Sequence, residues 1–181
     1  SMKNIYANNY GADFADIAES MALVENNTGL TGKALETTTQ NAIALRDTFQ
    51  YDVAESTKVA DTMMKQFGIT ADEAYELIAQ GAQSGLDKSG DMLDTFNEYS
   101  VYFKQLGFDS EGMWNVINAG MDSGAFNADK VGDAIKELGI RVKDGSKGTT
   151  EAFEGLGLNA DATAQAFAKG GESSQKALQT I

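Results

Sequence analysis

The stretch "FGITADEAYELIAQGAQSGL", residues 67–86, returns 39 positions further on as "LGFDSEGMWNVINAGMDSGA", residues 106–125. Gly68, Gly81, Ser84 and Gly85 recur as Gly107, Gly120, Ser123 and Gly124, while Asp72, Tyr75 and Ile78 recur as Glu111, Trp114 and Ile117. Between the glycines each copy reads as a helix. Thr70-Ala71-Asp72-Glu73 fits a capping box, in which Thr and Glu satisfy each other's orphan amide donors. Asp109 occupies the same place in the second copy and is a good N-cap. Ala74, Leu77 and Ile78 stripe the inward face of the first helix, and Met113, Val116 and Ile117 that of the second.

The repeat continues into a second helix. Met92, Phe96, Tyr99 and Phe103 are spaced 4, 3 and 4, and the residues 39 positions on are Val131, Ile135, Leu138 and Val142, all apolar. The repeated unit is therefore a helix pair, and repeats of 20–50 residues mark stacked supersecondary units. A third, decayed copy starts at "LGLNADATAQAFAKGG", residues 156–171, with Asn159 at the cap position and Gly157 and Gly170 again 13 apart. It lies 50 residues beyond the second copy, and the extra length falls in "VKDGSKGTTEAFEG", residues 142–155, which holds a loop over 143–148 and a short helix around Ala152, Phe153 and Leu156. Gly68, Gly107 and Gly157 precede an N-cap and suit left-handed positions just past a helix end, as do Gly85 and Gly124. Gly81 and Gly120 lie on the apolar face itself, where glycine costs about 1 kcal/mol relative to alanine. Two readings stand for them: close approach of a neighbouring helix, or an early helix end.

Before the repeat, Phe14, Ile17, Met21 and Val24 mark one helix face, following an isolated Ile5, and the helix ends near "ENNTG", residues 25–29. Leu35, Ala42, Leu45 and Phe49 stripe a second helix, weakened by "ETTTQ" at 36–40 because threonine is stiff at χ1. Asp52, with Glu55 three residues on, starts a third whose face is Val59, Met63 and Phe67. The expected organisation is an N-terminal helical segment over 1–67 and a repeat segment over 68–181, with units near 68–105, 107–143 and 157–181. The expected fold class is all-α, a bundle or short solenoid of roughly eight to ten helices.

Composition narrows the chemistry. The 181 residues contain no Pro, no Cys and no His. Missing Pro agrees with helix throughout, since Pro breaks helix interiors. Missing Cys and His exclude thiolate nucleophiles, disulfides, Cys- or His-bound zinc and every His-dependent triad. The net charge of −13 opposes contact with phosphate backbones and anionic bilayers, and its simplest role is solubility. No stretch approaches the roughly 18 apolar residues that a membrane span requires. Ser1-Met2 reads as a cloning remnant, and the closing "SSQKALQTI" stops inside a helical pattern, as a segment of a longer protein would.

Four signals were weighed as sites. "DKSGDMLDTFNE", Asp87–Glu98, places Asp, Ser, Asp and Glu at positions 1, 3, 5 and 12 of an EF-hand loop, yet Met92 stands where the loop needs Gly, and the helical stripe runs through it. Carboxylate pairs of the glycosidase kind abound among 27 acidic residues without a motif, most of them at helix starts. Lys147-Gly148 and Gly170-Gly171 lack the phosphate-loop pattern. Trp114, the only tryptophan, takes the place of Tyr75 and serves either packing or partner contact. No catalytic, metal-ligating or cofactor-binding residue is assigned, and no partner-binding residue.

The longer runs "LIAQGAQSG" (77–85), "FNEYSVYFKQLGF" (96–108) and "DKVGDAIKELGIRVKDG" (129–145) resemble the tail tape measure proteins of long-tailed bacteriophages and prophages. The likeness runs from about Leu35 to the end. It implies a virion structural protein without catalytic residues, active in tail assembly and length determination and in genome delivery. The implied partners are the tail tube protein, tail assembly chaperones and tail-tip proteins, with no nucleic acid and no membrane contact by this segment; self-association stays open. The implied locations are the phage tail and, during assembly, the host cytoplasm. Two alternatives remain: a tail-associated peptidoglycan hydrolase module, and a helical-repeat adaptor of another assembly. The 19 glycines distinguish the segment from a continuous rod and predict short helices folded back on one another.

Overall fold

A computed structural model describes residues 1–181 and is all-helical, as the periodicity predicts. Eleven helices follow one another: α1 (Met2–Ala7), α2 (Phe14–Thr28), α3 (Gly32–Phe49), α4 (Val53–Phe67), α5 (Ala71–Ser84), α6 (Met92–Gln105), α7 (Ser110–Asp122), α8 (Ala128–Arg141), α9 (Lys147–Gly155), α10 (Ala160–Lys169) and α11 (Gly171–Leu178). The expectation of eight to ten falls short because α1 and α11, of 6 and 8 residues, are too short to show a period. The chain divides into two compact units, Ser1–Asn97 and Glu98–Ile181. That division falls within α6, whereas the repeat begins at Gly68; one boundary follows packing and the other follows sequence.

In the first unit α2 packs on α3 and α4, and α5 packs on the same two helices. Ile5, Ile17 and Ile43 form one fully enclosed cluster with Tyr10 and Met21 against it. The polar run 36–40 sits inside the helix because its hydroxyls find partners: the Thr39 Oγ1 donates to the Leu35 carbonyl at 2.7 Å, the i−4 bond that lets buried threonine remain in a helix. Thr57 does the same to Val53 at 2.5 Å and shares a 2.9 Å hydrogen bond with the Tyr75 hydroxyl, tying α4 to α5. Arg46 grips Asp16 through two hydrogen bonds of 2.5 and 3.0 Å, joining α3 to α2. Phe14, expected on the inward face, is instead 49% exposed. It occupies the first turn of α2 and stacks on Tyr6 at 4.8 Å.

In the second unit α7 packs on α8, and α10 packs on both α9 and α11. Leu106, Val142, Phe153, Phe167 and Ala177 form its core, with Phe108, Ile135, Leu138 and Leu158 against it. Phe153 and Phe167 stack at 6.3 Å.

The expected helix starts are present. Thr70 and Glu73 form the full capping box, and Asp52, Asp109 and Asn159 each accept the backbone N–H three residues on, at 2.9, 2.7 and 2.8 Å. Gly68, Gly107 and Gly157 are left-handed, with φ of 72°, 93° and 75°, the conformation that an L side chain resists. Gly85 and Gly124 close α5 and α7 in one manner: Leu86 N–H bonds to the Gly81 carbonyl and Ala125 N–H to the Gly120 carbonyl, each at 3.0 Å, the six-to-one bond of a Schellman end.

Gly81 and Gly120 both lie inside their helices, and both are sites of close approach. A Cβ on Gly81 would come within 2.5 Å of the Met92 Sδ, and one on Gly120 within 2.6 Å of the Val131 Cγ2. Met92 and Val131 are themselves repeat equivalents, so each copy uses one glycine to seat the equivalent apolar residue of its own second helix. The third copy departs from this. Gly170 adopts φ 70° and ends α10, so it breaks a helix where its counterparts sit within one. A further close approach is Gly132, whose Cβ would run into the ring of Tyr99.

Substitutions at these glycines are expected to differ by the stiffness of the neighbour. Gly120→Leu should lower stability by about 1–3 kcal/mol, the usual cost of overpacking. Gly120→Ala should be more harmful than Gly81→Ala, because Val131 is branched at Cβ while the Met92 thioether has three rotatable bonds with which to move aside. Thermal melts followed by circular dichroism measure both; a higher melting temperature for Gly120→Leu would remove the close-packing account.

Candidate functional site

No His or Cys is available, so any site here must be built from carboxylates, hydroxyls, amines and aromatic rings. The EF-hand-like stretch illustrates how the carboxylates are used. Its residues from Met92 onward are α6, not a loop. Asp87 accepts the Met92 N–H at 2.9 Å through Oδ1 and the Tyr51 hydroxyl at 2.7 Å through Oδ2. It thus anchors the start of α6 and ties it to the segment ahead of α4. No group of three or more acidic side chains is arranged to hold a metal ion. Burial, the Asp87 hydrogen bond and its negative charge push the Tyr51 phenol well above its ordinary range.

The densest polar cluster lies in the second unit. Tyr99, 2% exposed, donates from its hydroxyl to Asp133 at 2.8 Å and Asp129 at 3.0 Å. Lys136 stands 5.8 Å from the Tyr99 ring centre and 5.3 Å from that of Tyr102, and bonds Glu98 at 3.3 Å. The Tyr99 phenol is driven far up, first by burial and then by the two carboxylates, whereas Asp133 is lowered, chiefly by the Tyr99 hydroxyl and then by Lys130. A phenol held neutral by two carboxylates is a donor and not a base. The cluster therefore ties α6 to α8.

The remaining sequence signals resolve into structure. Lys147 and Gly148 open α9 behind the Ser146 N-cap. Gly170 and Gly171 separate α10 from α11. Trp114 is half-buried on α7. Its counterpart Tyr75 is 3% exposed, bonded to Thr57 and pushed up to about 12 by burial. Of the basic stretch "KELGIRVK" at 136–143, Lys136 is engaged by Glu98 and the tyrosine rings, and the Arg141 Nε lies 3.8 Å from Glu137. The Tyr99 cluster was not assigned from the sequence. Its one sequence signal is Gly132, a helix-interior glycine in "DKVGDAIKELG" with no counterpart in the first copy, where Leu93 stands.

What fold and side chains define together is an all-helical, bundle-like protein in which the polar groups described above serve caps and interhelical ties. Comparison places it within a family. A model of the family described as phage-related minor tail protein matches residues 5–181, and the chain belongs to that family. It is also 33% identical over 108 residues to a probable tape measure protein of Streptomyces phage phiC31, a match that covers 60% of this chain and 15% of that protein. The chain thus matches a small part of its relative's length. No solved structure matches it.

Removing the Tyr99 hydroxyl tests the cluster. Tyr99→Phe should lower stability by about 1 kcal/mol near pH 7, the scale of a lost hydrogen bond with an exposed acceptor. Because the Tyr99 pKa is raised, its contribution is complete below the unfolded value near 10 and is lost as pH rises toward the folded value. Because the Asp133 pKa is lowered, its share is present above about 3.9 and is lost as pH falls through the folded value. The melting-temperature gap between wild type and variant should be widest between those limits and narrow outside them.

Proposed function

We propose that this chain is a folded module of a phage tail tape measure protein, contributing to tail assembly and to the setting of tail length, with genome delivery as a later role. The observation that carries the reading is the match to a probable tape measure protein of phage phiC31. The tail is the expected location in the virion, and the host cytoplasm the place of assembly. The tail tube protein, assembly chaperones and tail-tip proteins are the expected partners. Residues 68–105, 107–143 and 157–181 are read as successive units of one repeat, the last altered by the break at Gly170. No helix is long and apolar enough to cross a membrane.

The manner in which such a module contributes to length follows from helix geometry. A continuous helix rises about 1.5 Å per residue, whereas the longest helix here has 18 residues and left-handed glycines turn the chain between helices. A folded unit adds little length for the residues it contains. In-frame deletion of residues 107–143 should therefore shorten tails by far less than the ~56 Å that the same residues would span as a rod. Electron microscopy of assembled tails measures this; shortening by the full rod length would show that the unit unfolds into an extended ruler.

The engagement of Lys136 and Arg141 by acidic partners also bears on the genome passing through the tail. With 14 basic against 27 acidic side chains, the long-range field repels phosphate. Micromolar protein should give no mobility shift of duplex DNA at about 50 mM salt, a condition that favours phosphate contacts. A salt-dependent complex would replace the passive reading with a DNA-gripping one.

A further inference from the structure

Within the first unit α3 and α5 leave an open cleft of about 450 Å³ between them. Its two walls have the same register. Thr37, Asn41, Ala44 and Thr48 line it from α3, and Asp72, Glu76, Ala79 and Gln83 from α5, each row spaced 4, 3 and 4. The third place in both rows is alanine, so the walls are lowest at Ala44 and Ala79. Leu45, Phe49 and Tyr75 supply the apolar floor. At one end Asn41 donates to Asp72 at 2.7 Å and fixes the two walls together.

Two properties define the occupant. The first is shape: rows at helical spacing over eleven residues make a trough about 17 Å long, which a helix of three turns fills with an i, i+3, i+4, i+7 apolar stripe. The second is charge. No lysine or arginine lines the cleft, while Asp72 and Glu76 stand on its rim. The unit around it is strongly acidic, with 15 acidic against 6 basic side chains over residues 1–97, and α5 itself carries Asp72, Glu73 and Glu76 with no cation. We propose that this cleft binds a basic amphipathic helix of a partner protein. A second copy of this chain is a poor occupant. It would bring another net charge of −13, and the helix with the most cations, α8, has Lys130, Lys136 and Arg141 already facing Asp133, Glu98 and Glu137.

The probe is a 14-residue peptide with leucine at helical spacing and lysine elsewhere, titrated into the ¹⁵N-labelled chain and followed by amide shifts. A glutamate-for-lysine analogue is the control. Saturable shifts confined to residues 37–48 and 72–83 are expected, with affinity falling several-fold between about 50 and 150 mM salt as screening shortens the range of the rim charges. Ala79→Arg should reduce affinity at least tenfold by filling the low point of the wall. Asp72→Asn with Glu76→Gln should weaken binding several-fold and flatten its salt dependence; this surface pair carries the test if Ala79→Arg disturbs the fold. Shifts spread over the other acidic surfaces, equal binding of the glutamate peptide, or no shifts would each overturn the proposal. Concentration-dependent shifts of the same rows without peptide would overturn it in favour of a second copy.

Discussion

The architecture of the repeat depends on the missing side chain of one glycine in each copy. At Gly81 and Gly120 the helix surface is lowered by one Cβ, and Met92 or Val131 of the following helix takes that space. The same glycines supply the carbonyls that accept the Leu86 and Ala125 N–H groups at the helix ends. One residue type thus performs two tasks, receiving the returning helix and closing the one that carries it. Glycine within a helix costs about 1 kcal/mol against alanine. That cost is offset where the close approach is used; in the third copy the equivalent Gly170 instead ends a helix.

The features most legible in the sequence are those governed by local backbone chemistry. Thr70, Asp109 and Asn159 cap because their short polar side chains reach an amide three residues on, and Gly68, Gly107 and Gly157 turn left-handed because neighbouring elements require it. The apolar stripes of α4 and α5 were equally readable. Less legible was anything depending on tertiary neighbours. Phe14 fits the period of α2, yet it finds Tyr6 at the surface instead of the core. The exact frame of α8 was hidden as well. It begins at Ala128 behind the Asn127 cap, three positions earlier in the repeat frame than α6, whose start is held by Asp87 from five residues away. The buried positions nevertheless stay in register, because Val131 and Val142 match Met92 and Phe103 even though Val142 lies just past the end of its helix. Packing kept the 39-residue spacing while the caps drifted.

The cleft and the Tyr99 cluster show why the rest was silent. The cleft rows belong to α3, outside the repeat, and α5, within it, so no periodicity relates them; only the fold brings Ala44 and Ala79 into one cleft. Tyr99 reads as one apolar residue among four on a stripe, and nothing in the sequence says that its hydroxyl meets two aspartates some 30 positions on. Charged residues in such a chain look interchangeable until their partners are known.

A consequence follows for how the module meets its surroundings. Most of its cations lie beside carboxylates of their own helix or of a helix packed against it, as at Arg46, Lys65, Lys130, Lys136 and Lys176. Exposed pairs of this kind contribute little stability, at most about 1 kcal/mol each. Their larger effect is on recognition, because a paired cation presents little field to a passing anion. The acidic excess is left unopposed at the surface. Such a surface repels phosphate and draws in basic segments of proteins. With its paired lysines still exposed, at 60–73% for Lys65, Lys130 and Lys176, the chain neutralises its cations at the surface by pairing and not by burial, and the field that remains favours basic partners over anionic ones.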